Sequence, residues 1–238
     1  MSEITCTQFA RVFHGNLHKR SRTAKGVSDT SSSVDKRTLT QAGDDLVAQV
    51  ARNTQELIRS VWGFRGMLPE SPGAVRALVE GWHDIINHDL QDPDAYKDAH
   101  RALEKAAAER SRQGGEICRV NRRYRTWMVS CTDWNLGPLE LESAMDELYQ
   151  NLFDKLLLAQ TAHVDPADVL AYADYMIDGQ IHPWADGCGR NATAVLMWLS
   201  LLLSHCHLPV FGTRDEHYRS IRDLPAHTEY FRRCLTQT

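Results

Sequence analysis

The feature that most constrains the fold is a segment, residues 192–205, that is apolar on nearly every side when it is drawn as a helix. Such a helix is normally the buried centre of a helical domain, because it has no polar face to turn to water. Its longest apolar stretch, residues 194–203, is far shorter than the ~20 residues that a membrane-spanning helix needs. The segment therefore predicts a central helix that other helices surround.

Several further segments carry the pattern of amphipathic helices. Apolar residues recur there at three- and four-residue spacing. A Gly- and Pro-containing stretch separates the first two of them, at residues 63–72. Asp-Pro pairs at 92–93 and 165–166 predict helix starts, since aspartate caps a helix and proline suits its first position. The predicted helices cover residues 46–61, 75–90, 92–112, a segment that Pro138 opens, 166–177, and short stretches around Tyr218 and Tyr230.

One β region is predicted, at residues 117–132, where β-branched and aromatic side chains are frequent. A turn near Asn121 would fold it into a hairpin. A single hairpin does not hold itself together, so it must pack against helices. The predicted fold class is therefore all-α with one small β-hairpin.

The first 43 residues contain few apolar positions, and residues 21–38 are small, polar and charged without any period. This composition predicts a polar and flexible N-terminal arm at 1–43, followed by one helical domain at 44–238. No apolar leader is visible at the N-terminus. The six cysteines show no C-x-x-C spacing, which favours reduced thiols. We therefore expect a cytoplasmic protein; export as an effector cannot be inferred from these features.

The charge balance limits the classes of partner. Acidic residues exceed basic ones, 31 to 27, and the sequence pI is about 6.2. This argues against a broadly basic surface for nucleic acid. We expect neither a nucleic-acid partner nor a membrane span.

The most informative segment is residues 181–193, IHPWADGCGRNAT. Glycines at 187 and 189 let backbone N–H groups approach an anion, and the N-terminus of the next helix adds donors and a positive dipole end. Arg190 is a cation at a helix start, which is unfavourable unless an anion binds there. His182 can accept a proton near neutral pH, and Asp186 can bind Mg²⁺. Each feature also has an ordinary structural explanation, so the residues by themselves leave two alternatives open, a phosphate site and a structural turn.

The stretch IHPWADGCGR resembles the motif of the Fic (Fido) family, whose usual form is H-P-F-x-(D/E)-G-N-G-R-x-x-R. In that family the motif joins two central helices, and an upstream β-hairpin flap orients the target segment. The resemblance extends more weakly over residues 119–218. It implies a Fic-like helical domain with the predicted hairpin as its flap.

The resemblance also implies a role for each matching residue. His182 would be the general base that deprotonates a hydroxyl, and Asp186 would bind Mg²⁺. Backbone N–H groups would form an anion hole and Arg190 would bind phosphate, while Tyr218 lies where a base-stacking tyrosine is common. The residues implied in nucleotide binding are Gly187, Cys188, Gly189, Arg190, Asn191 and Tyr218.

Two positions depart from the family pattern. Cys188 stands where asparagine is usual, and a thiol is a weaker hydrogen-bond donor. Thr193 replaces the final arginine, which in ATP-using relatives binds the γ-phosphate, and it cannot replace a guanidinium. These departures make a donor other than ATP plausible, such as CDP-choline or a sugar nucleotide.

The function that the resemblance implies is Mg²⁺-dependent transfer of AMP, or of another nucleotide-derived phosphoryl group, to a protein hydroxyl. One alternative is the same chemistry on a small-molecule acceptor. Another is a catalytically inactive Fic scaffold that acts as a binding module. The sequence leaves the donor, the acceptor and the oligomeric state open.

Overall fold

Helices make up the regular structure wherever the chain is described. The computed structural model describes residues 4–20, 36–87, 124, 134, 136–137, 139–184, 187–203 and 207–236, with the backbone alone at 36–47. Over these residues there is no strand, which confirms the all-α part of the prediction. Within the same ranges, no helix combines the length and apolar character that crossing a bilayer requires. The predicted helix at 92–112 and hairpin at 117–132 lie outside the described residues, Tyr124 excepted.

Eight α-helices and one π-helical segment are described. In chain order they are α1 (Cys6–Arg20), α2 (Lys36–Gly63), α3 (Pro72–Asn87), α4 (Leu141–Thr161), α5 (Pro166–Asp174), the π-helical segment (Tyr175–Ile181), α6 (Cys188–Leu203), α7 (Arg214–Ser220) and α8 (Leu224–Thr236).

Helix α6 is the centre of the fold, as its apolar surface predicted. Every residue from Asn191 to Leu201 is buried. The helix packs against α1, α2, α3, α5 and the π-helical segment. On α6, the ring of Trp198 lies 5.4 Å from that of Trp82 on α3, edge to face. The helix begins at Cys188 rather than at 192, so the second half of the glycine-containing turn forms its first turn.

The helix boundaries follow the local signals where these are strong. Asp165 caps α5, because its carboxylate accepts a 2.9 Å hydrogen bond from the Ala167 N–H, and Pro166 is the first residue of the helix. Helix α2 ends at Gly63 and α3 begins at Pro72, which confirms the predicted break.

The N-terminal region corrects the sequence analysis. Residues Cys6–Arg20, predicted as part of a polar arm at 1–43, form helix α1 and bury Phe9, Phe13 and Leu17. Their four-residue spacing makes a narrow apolar stripe that the polar average of the segment obscured. Asn16 fixes the helix further, since its Nδ2 donates to the Pro209 carbonyl at 2.7 Å. Helix α2 also begins earlier than predicted, at Lys36.

A buried carboxylate joins α3, α4 and Tyr124. Glu80 Oε1 accepts hydrogen bonds from the hydroxyl groups of Tyr124 at 2.9 Å and Tyr149 at 3.3 Å. Arg76 Nε donates to the same oxygen at 3.1 Å. Burial raises the pKa of both phenols. Tyr124, which belongs to the predicted hairpin region, is therefore anchored to the helical core.

Candidate active site

The candidate site is the turn between the π-helical segment and α6. His182 follows the segment directly, and its backbone N–H donates to the Ile177 carbonyl at 3.1 Å. Its backbone is left-handed, with φ 44° and ψ 61°. Among the described residues it is the one non-glycine residue with positive φ. For an L-residue this conformation costs about 1–2 kcal/mol, so the turn holds His182 at some expense in stability.

The imidazole of His182 is partly accessible and lies beside Asp178, one turn earlier. Its Nδ1 lies 3.3 Å from the Asp178 carbonyl oxygen and 3.7 Å from Oδ1 of the Asp178 carboxylate. The ring is 27% exposed, whereas the carboxylate is 4% exposed. The site thus presents an imidazole to solvent with its Nδ1 side turned towards acceptors.

The aromatic residue of the turn packs into the core. Trp184 is buried and stacks on His83 of α3, with the ring centroids 4.3 Å apart and an interplanar angle of 13°. This contact fixes the turn to the core, so the short segment after His182 is anchored two residues from the histidine.

Gly187 requires glycine on two grounds. Its φ is +83°, which L-residues rarely adopt, and a Cβ there would lie 2.9 Å from Nδ2 of Asn87. Gly187 also begins the turn of α6, since its carbonyl accepts the Asn191 N–H at 2.8 Å. Cys188, Gly189 and Arg190 form the first turn of α6, as the three residues that follow Gly187. That their backbone N–H groups bind an anion stays a prediction.

Two of the predicted nucleotide-binding side chains are engaged in the core. Cys188 is buried, and its Sγ lies 3.4 Å from the Trp184 carbonyl. Asn191 is fully buried, and its Nδ2 donates to the Val79 carbonyl of α3 at 2.7 Å. The prediction of a ligand contact is corrected for the Asn191 side chain, because position 191 faces α3. The thiol of Cys188 is also engaged, so only the backbone N–H of this residue remains a candidate to donate to a phosphate.

Thr193, where the family pattern has arginine, has a structural role. Its side chain is buried, and Oγ1 donates to the Gly189 carbonyl at 2.8 Å. The hydroxyl therefore bonds within α6. It therefore does not replace the arginine guanidinium that the family pattern has at this position.

Tyr218, the predicted base-stacking residue, lies on α7 next to His217, with their ring centroids 5.1 Å apart. It is 38% exposed on α7, and the Arg214 guanidinium carbon lies 5.4 Å from its ring centroid. Partial burial and the Asp178 carboxylate raise its pKa, whereas Arg20 opposes the shift. Asp186, the predicted Mg²⁺ ligand, lies outside the described residues.

Beneath the turn lies a charged network that the sequence analysis missed. Arg20, the last residue of α1, contacts the carboxylates of both Asp174 and Asp178 through Nη2, the latter at 3.1 Å. Asp174 Oδ2 also lies 2.7 Å from His217 Nε2 and 3.0 Å from His227 Nε2. All five side chains are buried, with at most 4% of each exposed. The helices α1, α5, α7 and α8 and the π-helical segment meet in this network.

The charges in the network determine its protonation. Burial alone would raise the pKa of the Asp174 carboxyl, but Arg20 and His217 outweigh it and hold the pKa well below its usual range. Burial lowers the pKa of His227, against the opposing effect of Asp174. Asp174 is therefore ionised at neutral pH and His227 is neutral.

Asp174, His217 and His227 also form the described group whose side chains could together ligate a metal ion, since one ligand atom from each lies within 4.8 Å of the others. Both imidazoles, however, direct Nε2 at the same carboxylate oxygen, and the Arg20 Nη2 lies 3.0 Å from His217 Nε2. A guanidinium in that place disfavours a further cation. The geometry favours a hydrogen-bonded structural network.

No model of a known protein family matches the chain, and neither a curated protein nor a solved structure is similar to it. Over the described residues, the chain is all-α, and a strained, partly exposed histidine lies in the turn that precedes its central helix.

Proposed function

We propose that the protein is a Mg²⁺-dependent transferase of the Fic type, which moves AMP or another nucleotide-derived phosphoryl group to a protein hydroxyl. The observation that carries the proposal is the left-handed conformation of His182. A non-glycine residue kept at φ 44° beside a helix N-terminus costs stability, and such costs concentrate at functional sites.

The arrangement around His182 supports the same chemistry. Gly187 has a positive φ, and the three residues after it form the first turn of α6, where backbone N–H groups and the helix dipole attract phosphate. The side chain of Arg190 lies in that turn and adds a full charge. An imidazole on one side of an anion site is the arrangement that nucleophilic attack on phosphorus requires.

The proposed step is an in-line displacement. The acceptor hydroxyl oxygen forms a bond to the phosphorus of the transferred group, the α-phosphorus in the case of ATP, while the bond from that phosphorus to the leaving group breaks. His182 takes the hydroxyl proton, and the leaving group, pyrophosphate in the case of ATP, takes the bonding electron pair. Backbone N–H groups in the first turn of α6 stabilise the charge on the non-bridging oxygens of the phosphate. A Mg²⁺ ion held by Asp186 would neutralise phosphate charge and orient the donor.

The test is intact-mass spectrometry of the full chain with Mg²⁺ and, in turn, ATP, CDP-choline and a sugar nucleotide, alone and with a hydroxyl-bearing peptide. We expect one donor to give a mass increment that identifies the transferred group. The His182→Ala and Asp186→Asn variants should lose it. The exposed His163 provides the matched control, and His163→Ala should retain it.

Calorimetric titration with the same donors covers the case in which the acceptor is missing from the assay. A folded protein that shows neither an increment nor Mg²⁺-dependent binding of any donor would contradict the proposal. So would an increment that survives unchanged in His182→Ala.

A further inference from the structure

We infer that Asp178, held in place by Arg20, is a positioning residue that keeps the proton of neutral His182 on Nδ1 and so leaves Nε2 as the atom that accepts a proton. The inference rests on the proposed function for its catalytic meaning. Its structural content, the tautomer of His182, can be measured without any activity.

The contacts of Nδ1 indicate which nitrogen of His182 carries the proton. Both polar atoms that Asp178 directs at the ring are acceptors, the carbonyl oxygen at 3.3 Å and the carboxylate Oδ1 at 3.7 Å. A neutral imidazole has one N–H, and the hydrogen-bond partners of the two nitrogens determine which nitrogen carries it. The carbonyl oxygen lies at hydrogen-bond distance from Nδ1, and the carboxylate oxygen lies just beyond that distance on the same side of the ring. Both favour the Nδ1–H tautomer, and Nε2 then holds a lone pair.

The fixed position of the carboxylate carries the second step. Asp178 Oδ2 accepts from Arg20 Nη2 at 3.1 Å, while Oδ1 is the oxygen that faces His182. Arg20 is itself held by Asp174, which the two imidazoles of His217 and His227 contact through Nε2. Because all of these groups are buried, Asp178 has little freedom to turn away from the histidine.

The third consideration is the net charge of the buried network of Arg20, Asp174 and Asp178. One guanidinium faces two carboxylates, so with neutral imidazoles the network has one excess negative charge. That charge lies next to His182 and stabilises the imidazolium that forms when Nε2 takes a proton. A buried carboxylate orients and stabilises the base histidine of Ser-His-Asp enzymes by the same physical effect.

The first turn of α6, at Gly189, lies close to the Asp178 carboxylate. A Cβ at Gly189 would lie 3.6 Å from both oxygens of Asp178 and 3.8 Å from Arg20 Nε. The positive end of the α6 dipole is therefore close to the Asp178 carboxylate. Thus the helix end that would bind the donor also supports the residue that orients the base.

The experiment is ¹⁵N NMR of the imidazole nitrogens in the full chain, at a pH above the imidazole range. The signals of His182 are assigned by their loss in His182→Gln. We expect the wild-type protein to show Nδ1 protonated and Nε2 unprotonated. Asp178→Asn, whose amide oxygen can still accept from Arg20, should raise the fraction of the Nε2–H tautomer several-fold.

Asp146→Asn is the matched control, since Asp146 is exposed and pairs with Arg76 on another face. It should leave the His182 signals unchanged. A wild-type His182 that carries its proton on Nε2 would overturn the inference, and this measurement needs no variant to fold. An unchanged tautomer ratio in folded Asp178→Asn would overturn it as well.

Activity separates this inference from the proposed function. Where transfer is measurable, Asp178→Asn should lower kcat by about 10²-fold, within the range of general-base contributions, with KM changed less than kcat. A wild type with the Nδ1–H tautomer, no transfer and no Mg²⁺-dependent binding of any donor would contradict the proposed function alone. Transfer that needs His182 but is unaffected by Asp178→Asn would contradict the positioning role alone.

Discussion

The Nη2 atom of Arg20 lies 3.1 Å from Oδ2 of Asp178, a residue 158 positions later in the chain. This contact joins the last residue of α1 to the π-helical segment, which His182 directly follows. Since the same guanidinium also contacts Asp174, one cation from α1 compensates two buried carboxylates at the centre of the fold.

Removal of this cation should be strongly destabilising. In Arg20→Met both carboxylates would stay buried without their partner, and we expect a loss of about 3–5 kcal/mol in the free energy of unfolding. Arg232→Met is the control, because Arg232 forms its ion pairs with Asp165 and Asp168 on the surface and should cost at most about 1 kcal/mol. Urea denaturation at constant pH measures both. Equal losses in the two variants would show that the buried network does not depend on Arg20.

The strain at His182 should appear as a gain in stability when it is relieved. Glycine adopts positive φ freely, so His182→Gly should be about 1 kcal/mol more stable than His182→Ala, which keeps the strained backbone. Both variants should lose group transfer. Thermal and urea unfolding of the pair give the difference, and equal stabilities would mean that the left-handed conformation is not held in solution.

Gly187 and Gly15 should respond in opposite directions to alanine. Gly187→Ala places a Cβ at φ +83° and 2.9 Å from Asn87 Nδ2, which itself donates to the His83 carbonyl at 2.8 Å. We expect a loss of about 1–2 kcal/mol. Gly15 lies in α1 with open space around its Cβ position, and Gly15→Ala should gain about 0.5–1 kcal/mol. A neutral Gly187→Ala would contradict the described turn.

Stability should depend on pH through His227. Burial lowers its pKa in the folded state, so below about pH 6.5 the unfolded chain binds a proton that the folded protein does not. The free energy of unfolding should therefore fall as the pH is lowered through this range, by at most about 1.4 kcal/mol per pH unit for one proton.

His227→Gln keeps a side-chain N–H that can donate to Asp174 but cannot titrate, so it should flatten this dependence. His163→Gln, at an exposed position, should leave the slope unchanged. Urea denaturation at several values between about pH 7 and pH 5 supplies the comparison. Parallel curves for the wild type and His227→Gln would contradict the assignment.

Features that depend on a few adjacent residues could be predicted from the sequence, whereas features that depend on residues farther apart were missed. The Asp165-Pro166 helix start and the helix break at residues 63–72 depend on a few adjacent residues, and both are confirmed. Helix α1 was missed because a stripe as narrow as Phe9, Phe13 and Leu17 is diluted by polar neighbours. The hairpin, the 92–112 helix and Asp186 stay predictions, since they lie outside the described residues.

The sequence by itself determined the central apolar helix and the position of the histidine, glycines and arginine around its start, because helical periodicity and turn chemistry are local properties. Only the tertiary structure decided that Arg20, His217 and His227 meet at Asp174, that Asn191 faces the core, and that His182 has a left-handed backbone beside Asp178. These relationships depend on how distant helices pack, and a contact between residues 154 or more positions apart, such as that of Arg20 with Asp174, leaves no periodic signal in the chain.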